Sequence, residues 1–176
     1  MTTTLSPLEI ELLALITFKK STLDALRNGV RVEQKGYGTI SELVLLGCAD
    51  RFALARAFLG TAERFRKLRP PSHRDCTSRA YYSMYHAARA ICFVHHGGDD
   101  HEEHRVLPKH IPPDFPDAAA WANKLSEARL LRNQADYDPY PKPDQEFTQI
   151  SRQQLKNAND FLAMAENYLR ARGCVI

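Results

Sequence analysis

Arg132-Asn133-Gln134-Ala135-Asp136-Tyr137 sets an arginine, an amide, a carboxylate and a phenol within two helical turns, and Arg132 and Asp136 fall one above the other on a helix. About fifty residues earlier, Arg79, Tyr82, Ser83, His86 and Arg89 recur at steps of three or four, giving an otherwise apolar helix one polar face. Two kinds of chemistry suit such groups. One is structural: Asp136 holds Arg132 or Arg79 in an ion-pair network, and His86 donates to a carbonyl or carboxylate. The other is an anion site, in which Arg79, Arg132 and Arg129 bind a phosphate, Asp136 fixes the arginine fork, and a tyrosine stacks on a base.

Cleaving RNA through its own 2′-OH needs a base for that hydroxyl, charge stabilisation on the phosphate and an acid for the leaving oxygen. Arg132 can supply only the second. Tyr137, with an ordinary pKa of about 10, and Asp136, near ~3.9, are poor bases at neutral pH. His86 is the group that titrates in range, at about 6.5, if the two helices bring it to Arg132.

A second cluster is the histidine-rich tract His95, His96, His101, Glu102, Glu103, His104 and His110. His101 and His104, three apart, suit zinc or nickel on a short helix. The order is not His-Glu-x-x-His, so the expectation is a solvated loop that takes metal adventitiously, with no resident metal or other cofactor. Arg64, Arg66, Lys67, Arg69 and Arg74 form the densest basic cluster, expected to be a solvated helix end that an RNA backbone could also follow.

Several helices must position these groups. A chain of 176 residues can form one core without staples, and its four cysteines lack disulfide or metal-ligand spacing. Its 24 Lys and Arg against 21 Asp and Glu give a net charge of +3, which neither demands nor excludes a nucleic-acid partner. No apolar run approaches membrane-spanning length and the start lacks a signal-peptide pattern, so a cytoplasmic protein without membrane association is expected.

Ser6-Pro7-Leu8-Glu9 reads as a capping box that opens a helix running to about residue 27, stopped by Gly29. Leu8, Leu12 and Ile16 would cover a bundle face or extend a dimer interface. Thr39-Ile40-Ser41-Glu42 is a second capping box, followed by a long helix on which Leu43, Leu46, Ala53, Leu54, Ala57, Phe58, Thr61, Phe65 and Leu68 keep helical period, with a kink near Gly47, ended by Pro70-Pro71. Ser72 or Asp75 caps a central helix that is apolar or small around most of its circumference. Asp117 caps another, with Trp121, Leu125, Ala128 and Leu131 as its stripe, and Asp144 caps the last, which ends near Gly173. The fold predicted is all-α, an up-and-down antiparallel bundle of five to six helices (residues 41–176) with an extra N-terminal helix and loop (residues 1–40) docked on it.

The segment 79–90 with its Arg-Ala-Tyr-Tyr-Ser-Met-Tyr-His-Ala-Ala-Arg-Ala run, followed by Leu131-Arg132-Asn133-Gln134-Ala135-Asp136-Tyr137-Asp138-Pro139, resembles the HEPN domain of prokaryotes over residues 49–172. The resemblance implies a helical bundle that forms a two-fold homodimer, encoded in toxin-antitoxin, phage-defence or CRISPR-linked settings. Active relatives are metal-independent ribonucleases whose signature is an arginine, a polar follower, and a histidine four to six positions on. Arg132 and Asn133 match the first two. Where the histidine should fall the chain has Tyr137, Asp138 and Pro139, and no histidine follows Arg132 at all. This looks like the Ala-Asp-Tyr variant of the family.

Three functions are therefore expected to compete. The first is an RNA- or nucleotide-binding regulatory module of a defence or toxin-antitoxin system, a homodimer with a divergent site and a cognate antitoxin or defence-system protein as partner. The second is a metal-independent endoribonuclease using Arg132 with a recruited His86. The third is a non-catalytic helical adaptor.

Overall fold

A computed structural model describes residues 6–176, except for the Glu9 side chain, so Ser6-Pro7-Leu8-Glu9 as a reciprocal capping box lies outside what is described. The chain divides into two compact units, residues 1–43 and 44–176. Six α-helices and two 3-10 turns make up the described elements, with no strand among them.

In the first unit the single N-terminal helix predicted is two helices, α1 (Pro7–Thr17) and α2 (Lys20–Gln34). Gly29 does not stop the chain; it lies inside α2, and the stop falls at Gly36, whose φ of 77° only glycine adopts without strain. The second capping box forms as predicted. Thr39 N donates to Glu42 Oε2 (2.7 Å) and Glu42 N donates to Thr39 Oγ1 (3.2 Å), opening α3 (Ile40–Lys67). The Thr39 backbone N–H, and then its hydroxyl at 3.0 Å, donate to Glu42 Oε2 and lower that carboxyl below its ordinary range.

In the second unit α3 continues unbroken through Gly47. Its buried face is not the leucine-rich one predicted: Cys48, Phe52, Ala55 and Ala62 are buried, whereas Leu46 and Leu54 are exposed. Apolar residues surround this helix, and small residues let a neighbouring backbone approach more closely than leucines do. Ser83 Oγ donates to the Ala55 carbonyl at 2.9 Å, a contact a leucine at 55 would block.

The core helix is α4 (His73–His96), in which thirteen residues from Cys76 to Cys92 are buried. It packs chiefly on α6 (Thr148–Arg170) and α5 (Ala118–Tyr137). Phe115 and Trp121 pack on Phe161 in this core, with ring centroids 5.5 and 5.0 Å from it. This is the all-α bundle expected from periodicity. The four cysteines are free and buried, and no described helix is long and apolar enough to cross a membrane.

Helix ends use caps that spacing did not indicate. Asp117 precedes α5 as predicted but makes no side-chain cap bond. Ser72 precedes α4, yet its hydroxyl donates to Asp75 (2.5 Å) rather than capping backbone. Asp144, predicted to cap the last helix, instead accepts from His73 N (2.7 Å) and Arg74 N (2.9 Å), capping α4 from across the bundle. The short helix predicted between Glu102 and His110 is only a 3-10 turn, Leu107–His110.

Candidate functional site

The spacing 121, 125, 128, 132, 135 on α5 alternates steps of four and three, and Trp121, Leu125, Ala128 and Ala135 are all buried. Arg132 occupies the remaining position of that stripe, so its long side chain is carried inward, leaving 12% of it exposed. An arginine in such a position needs acceptors, and the polar face of α4 supplies them.

Arg132 Nη2 donates to the Tyr82 hydroxyl and Nη1 to Asn133 Oδ1 (3.0 Å). The guanidinium carbon lies 4.8 Å from the Tyr82 ring centroid, 5.2 Å from Tyr137 and 6.0 Å from Tyr81, an aromatic cage that favours a cation. Asp136 Oδ2 approaches Nε at 3.0 Å and accepts from Ser78 Oγ at 3.2 Å. That carboxylate lies off the Nε–H direction: the ion pair exists, but the buried Nε–H has no hydrogen-bond acceptor.

Arg79 lies 5.9 Å from the centroids of both Phe58 and Tyr82, and among the described residues its side chain makes no hydrogen bond or ion pair. Arg129 is likewise without either, and its charge acts on Tyr81 and His104. Among the described residues, Asp136 is the only carboxylate in ion-pair contact with any of these three arginines. Among the described residues, Arg79 and Arg129 thus have no carboxylate in ion-pair contact.

His86 belongs to the same cluster. Its ring stacks on Phe58 (5.1 Å, 11°), which in turn stacks on Tyr82 (5.5 Å). Burial, with the Arg89, Arg51 and His104 charges adding to it, lowers the imidazole to about 4, so His86 is neutral at pH 7. The adjoining Arg89 is committed elsewhere: with Arg51 it grips Asp99. Partial burial would raise that carboxyl, but hydrogen bonds from the two arginines outweigh it and lower it.

His104 was assigned by spacing to a solvated tract and, with His101, to a metal. The structure separates the two. His104 Nδ1 shares a 2.6 Å hydrogen bond with the Tyr81 hydroxyl, and its ring stacks on Tyr85 at 4.1 Å. Burial and then the Arg129 and Arg89 charges lower its pKa. It therefore stands beside the Arg132 cage, where no periodic signal could reveal it, because it arrives on an irregular loop.

The basic cluster also divides. Arg66, Lys67 and Arg69 line a shallow groove with His73 and Arg152. Arg74 instead turns inward, its guanidinium 4.3 Å from the Phe147 centroid. Nη1 donates to the carbonyls of Gln134, Ala135 and Asp138, and Nη2 to that of Pro141. The Gln134 and Ala135 carbonyls belong to the last turn of α5, and those of Asp138 and Pro141 to the segment that follows it. Arg74 thus closes the helix that carries Arg132, while Asp144 fixes the Arg74 backbone.

The arrangement can bind an anion near Arg132 and stack a ring on the exposed Tyr137 (70% accessible). A family model for the HEPN domain matches residues 49–168, about two thirds of the chain. No curated protein and no solved structure matches it.

Proposed function

The chain belongs to the HEPN domain family, modules of a general nucleotide- or RNA-related kind, and we propose that it is an RNA- or nucleotide-binding regulatory module with a divergent site centred on Arg132. The observation that carries this reading is Arg132 caged by Tyr81, Tyr82 and Tyr137 with Arg79 against the Tyr82 ring and a single carboxylate in contact. A phosphate entering there meets donors in a partly dehydrated setting, where charge-assisted hydrogen bonds are strongest. Asn133 adds an amide, and Tyr137 offers a ring face to a base.

The endoribonuclease reading has one supporting observation: His86 reaches the Arg132 network through Phe58 and Tyr82. It also has a chemical difficulty. An imidazole held at about 4 is a weak proton acceptor at pH 7, and His104 is shifted the same way. Binding without cleavage therefore fits the site better.

The family resemblance further supports a homodimer within a prokaryotic defence or toxin-antitoxin system. Leu130 and Tyr137, seven apart on α5, are both exposed on one face, and Tyr137 also walls the Arg132 cage; a second copy would cover that face. The deciding experiment compares wild type and Arg132→Ala for binding and cleavage of a single-stranded RNA in EDTA. Binding without cleavage by the wild type, weakened in the variant, is expected.

A further inference from the structure

Three histidines that take no part in the Arg132 site come together on the far side of the same loop. His96 is the last residue of α4, His101 follows in the loop, and His110 closes the 3-10 turn. One ring nitrogen of each lies within 4.8 Å of the others. The His101 and His110 rings are stacked at 3.6 Å and 6°, and His96 meets His101 edge-on at 4.9 Å. Protonated imidazoles repel one another at such distances.

Neutral imidazoles each offer one lone pair, and a tetrahedral zinc ion with bonds of about 2.0–2.1 Å sets its nitrogen ligands roughly 3.3–3.4 Å apart. The ligand nitrogens must close by about 1.4 Å to reach that spacing, and the stacked His101 and His110 rings must turn so that their in-plane lone pairs converge on the ion. Their surroundings favour such a closure. His96 Nε2 donates to the His110 carbonyl at 3.0 Å, the type of bond that orients a metal-binding imidazole and leaves Nδ1 as its lone pair. Cys92 Sγ donates to the same carbonyl at 3.2 Å, Gly97 turns the chain at φ 74°, and Asp99 anchors the loop to Arg51 and Arg89.

We propose that His96, His101 and His110 form a site for a divalent transition-metal ion of borderline softness, zinc foremost, with a fourth position open to water. All-nitrogen ligation disfavours magnesium and calcium, which take oxygen ligands. Asp99, two residues before His101, is occupied by two arginines. The ion would tie the end of α4 to the loop that carries His104, three residues after His101, into the Arg132 site. This inference does not depend on what that site binds.

The test is titration of the full chain, without a polyhistidine tag and stripped with chelator, with ZnCl2 alone, followed by calorimetry and by the visible spectrum of a Co2+ complex. One ion per chain is expected, with the intense absorption of tetrahedral Co2+. His101→Ala and His110→Ala should each lower affinity at least tenfold while far-UV circular dichroism is unchanged, and His104→Ala should leave affinity as it was. Absence of saturable binding, or binding that survives the His96→Ala/His101→Ala double variant, would overturn the proposal. If an alanine variant unfolds, His101→Gln replaces it, with the same loss expected.

Discussion

The Arg132 guanidinium donates to the Tyr82 hydroxyl across the 50 residues that separate the two polar motifs, joining α5 to α4 at the one place where a cation sits on the buried stripe. Tyr82 is thereby both the acceptor and one wall of the cage, with Arg79 on its ring and Phe58 stacked beside it.

Tyr82→Phe keeps that ring and removes only the acceptor, leaving Arg132 Nη2 without its partner. Ligand affinity should fall several-fold, because the guanidinium loses its fixed orientation, while stability drops by about 1–2 kcal/mol. Urea unfolding measures the second quantity and RNA binding the first. An unchanged affinity would mean that Tyr82 does not orient the arginine.

Arg74→Ala removes the donor that satisfies the end of α5, at a cost of roughly 2–4 kcal/mol. For a chain of this length that lowers Tm by roughly 5–15 °C. Asp144→Ala, which uncaps α4, should cost less, about 0.5–2 kcal/mol. Thermal scans of both variants check the order, which reverses if Arg74 is merely a solvated cation.

His86 gives the chain a pH dependence with a defined sign. Its folded pKa lies near 4 and its unfolded value near 6.5, so between these limits the unfolded chain binds more protons. Stability from this group is fully present above pH 6.5 and is lost as the pH falls toward 4. His86→Phe, which preserves stacking on Phe58, should flatten the decline of Tm over that window, and an identical decline in the variant would assign it elsewhere.

If a second copy covers the α5 face, light scattering on the purified chain should give twice the monomer mass. Leu130→Arg should shift it toward monomer with Tm little changed, since Leu130 is 58% exposed in the single chain. A monomeric wild type at tens of micromolar would remove the homodimer from the account.

How far the sequence carried these conclusions depended on distance along the chain. The inward position of Arg132 follows from helical spacing, and the Thr39–Glu42 capping box from a four-residue pattern, because both are local. Arg74 and Asp144 were read as a solvated cation and a local cap, since partners 60 and 71 residues away leave no mark on local sequence. His104 and the His96–His101–His110 cluster were mispaired for the same reason: irregular backbone separates neighbours in sequence and brings distant rings together. On α3, apolar residues recur on more than one face, so period alone does not single out the one that carries Cys48, Phe52, Ala55 and Ala62 inward.

The central claim is that Arg132 supports a phosphate-binding site, and fluorescence anisotropy of a labelled single-stranded RNA, titrated at several salt concentrations in EDTA, tests it most directly. Arg132→Ala should weaken binding roughly 10- to 100-fold, the loss of a charge-assisted contact, and lower the slope of log affinity against log salt by about 0.7. Equal affinity and equal slope in a folded Arg132→Ala variant would contradict the account.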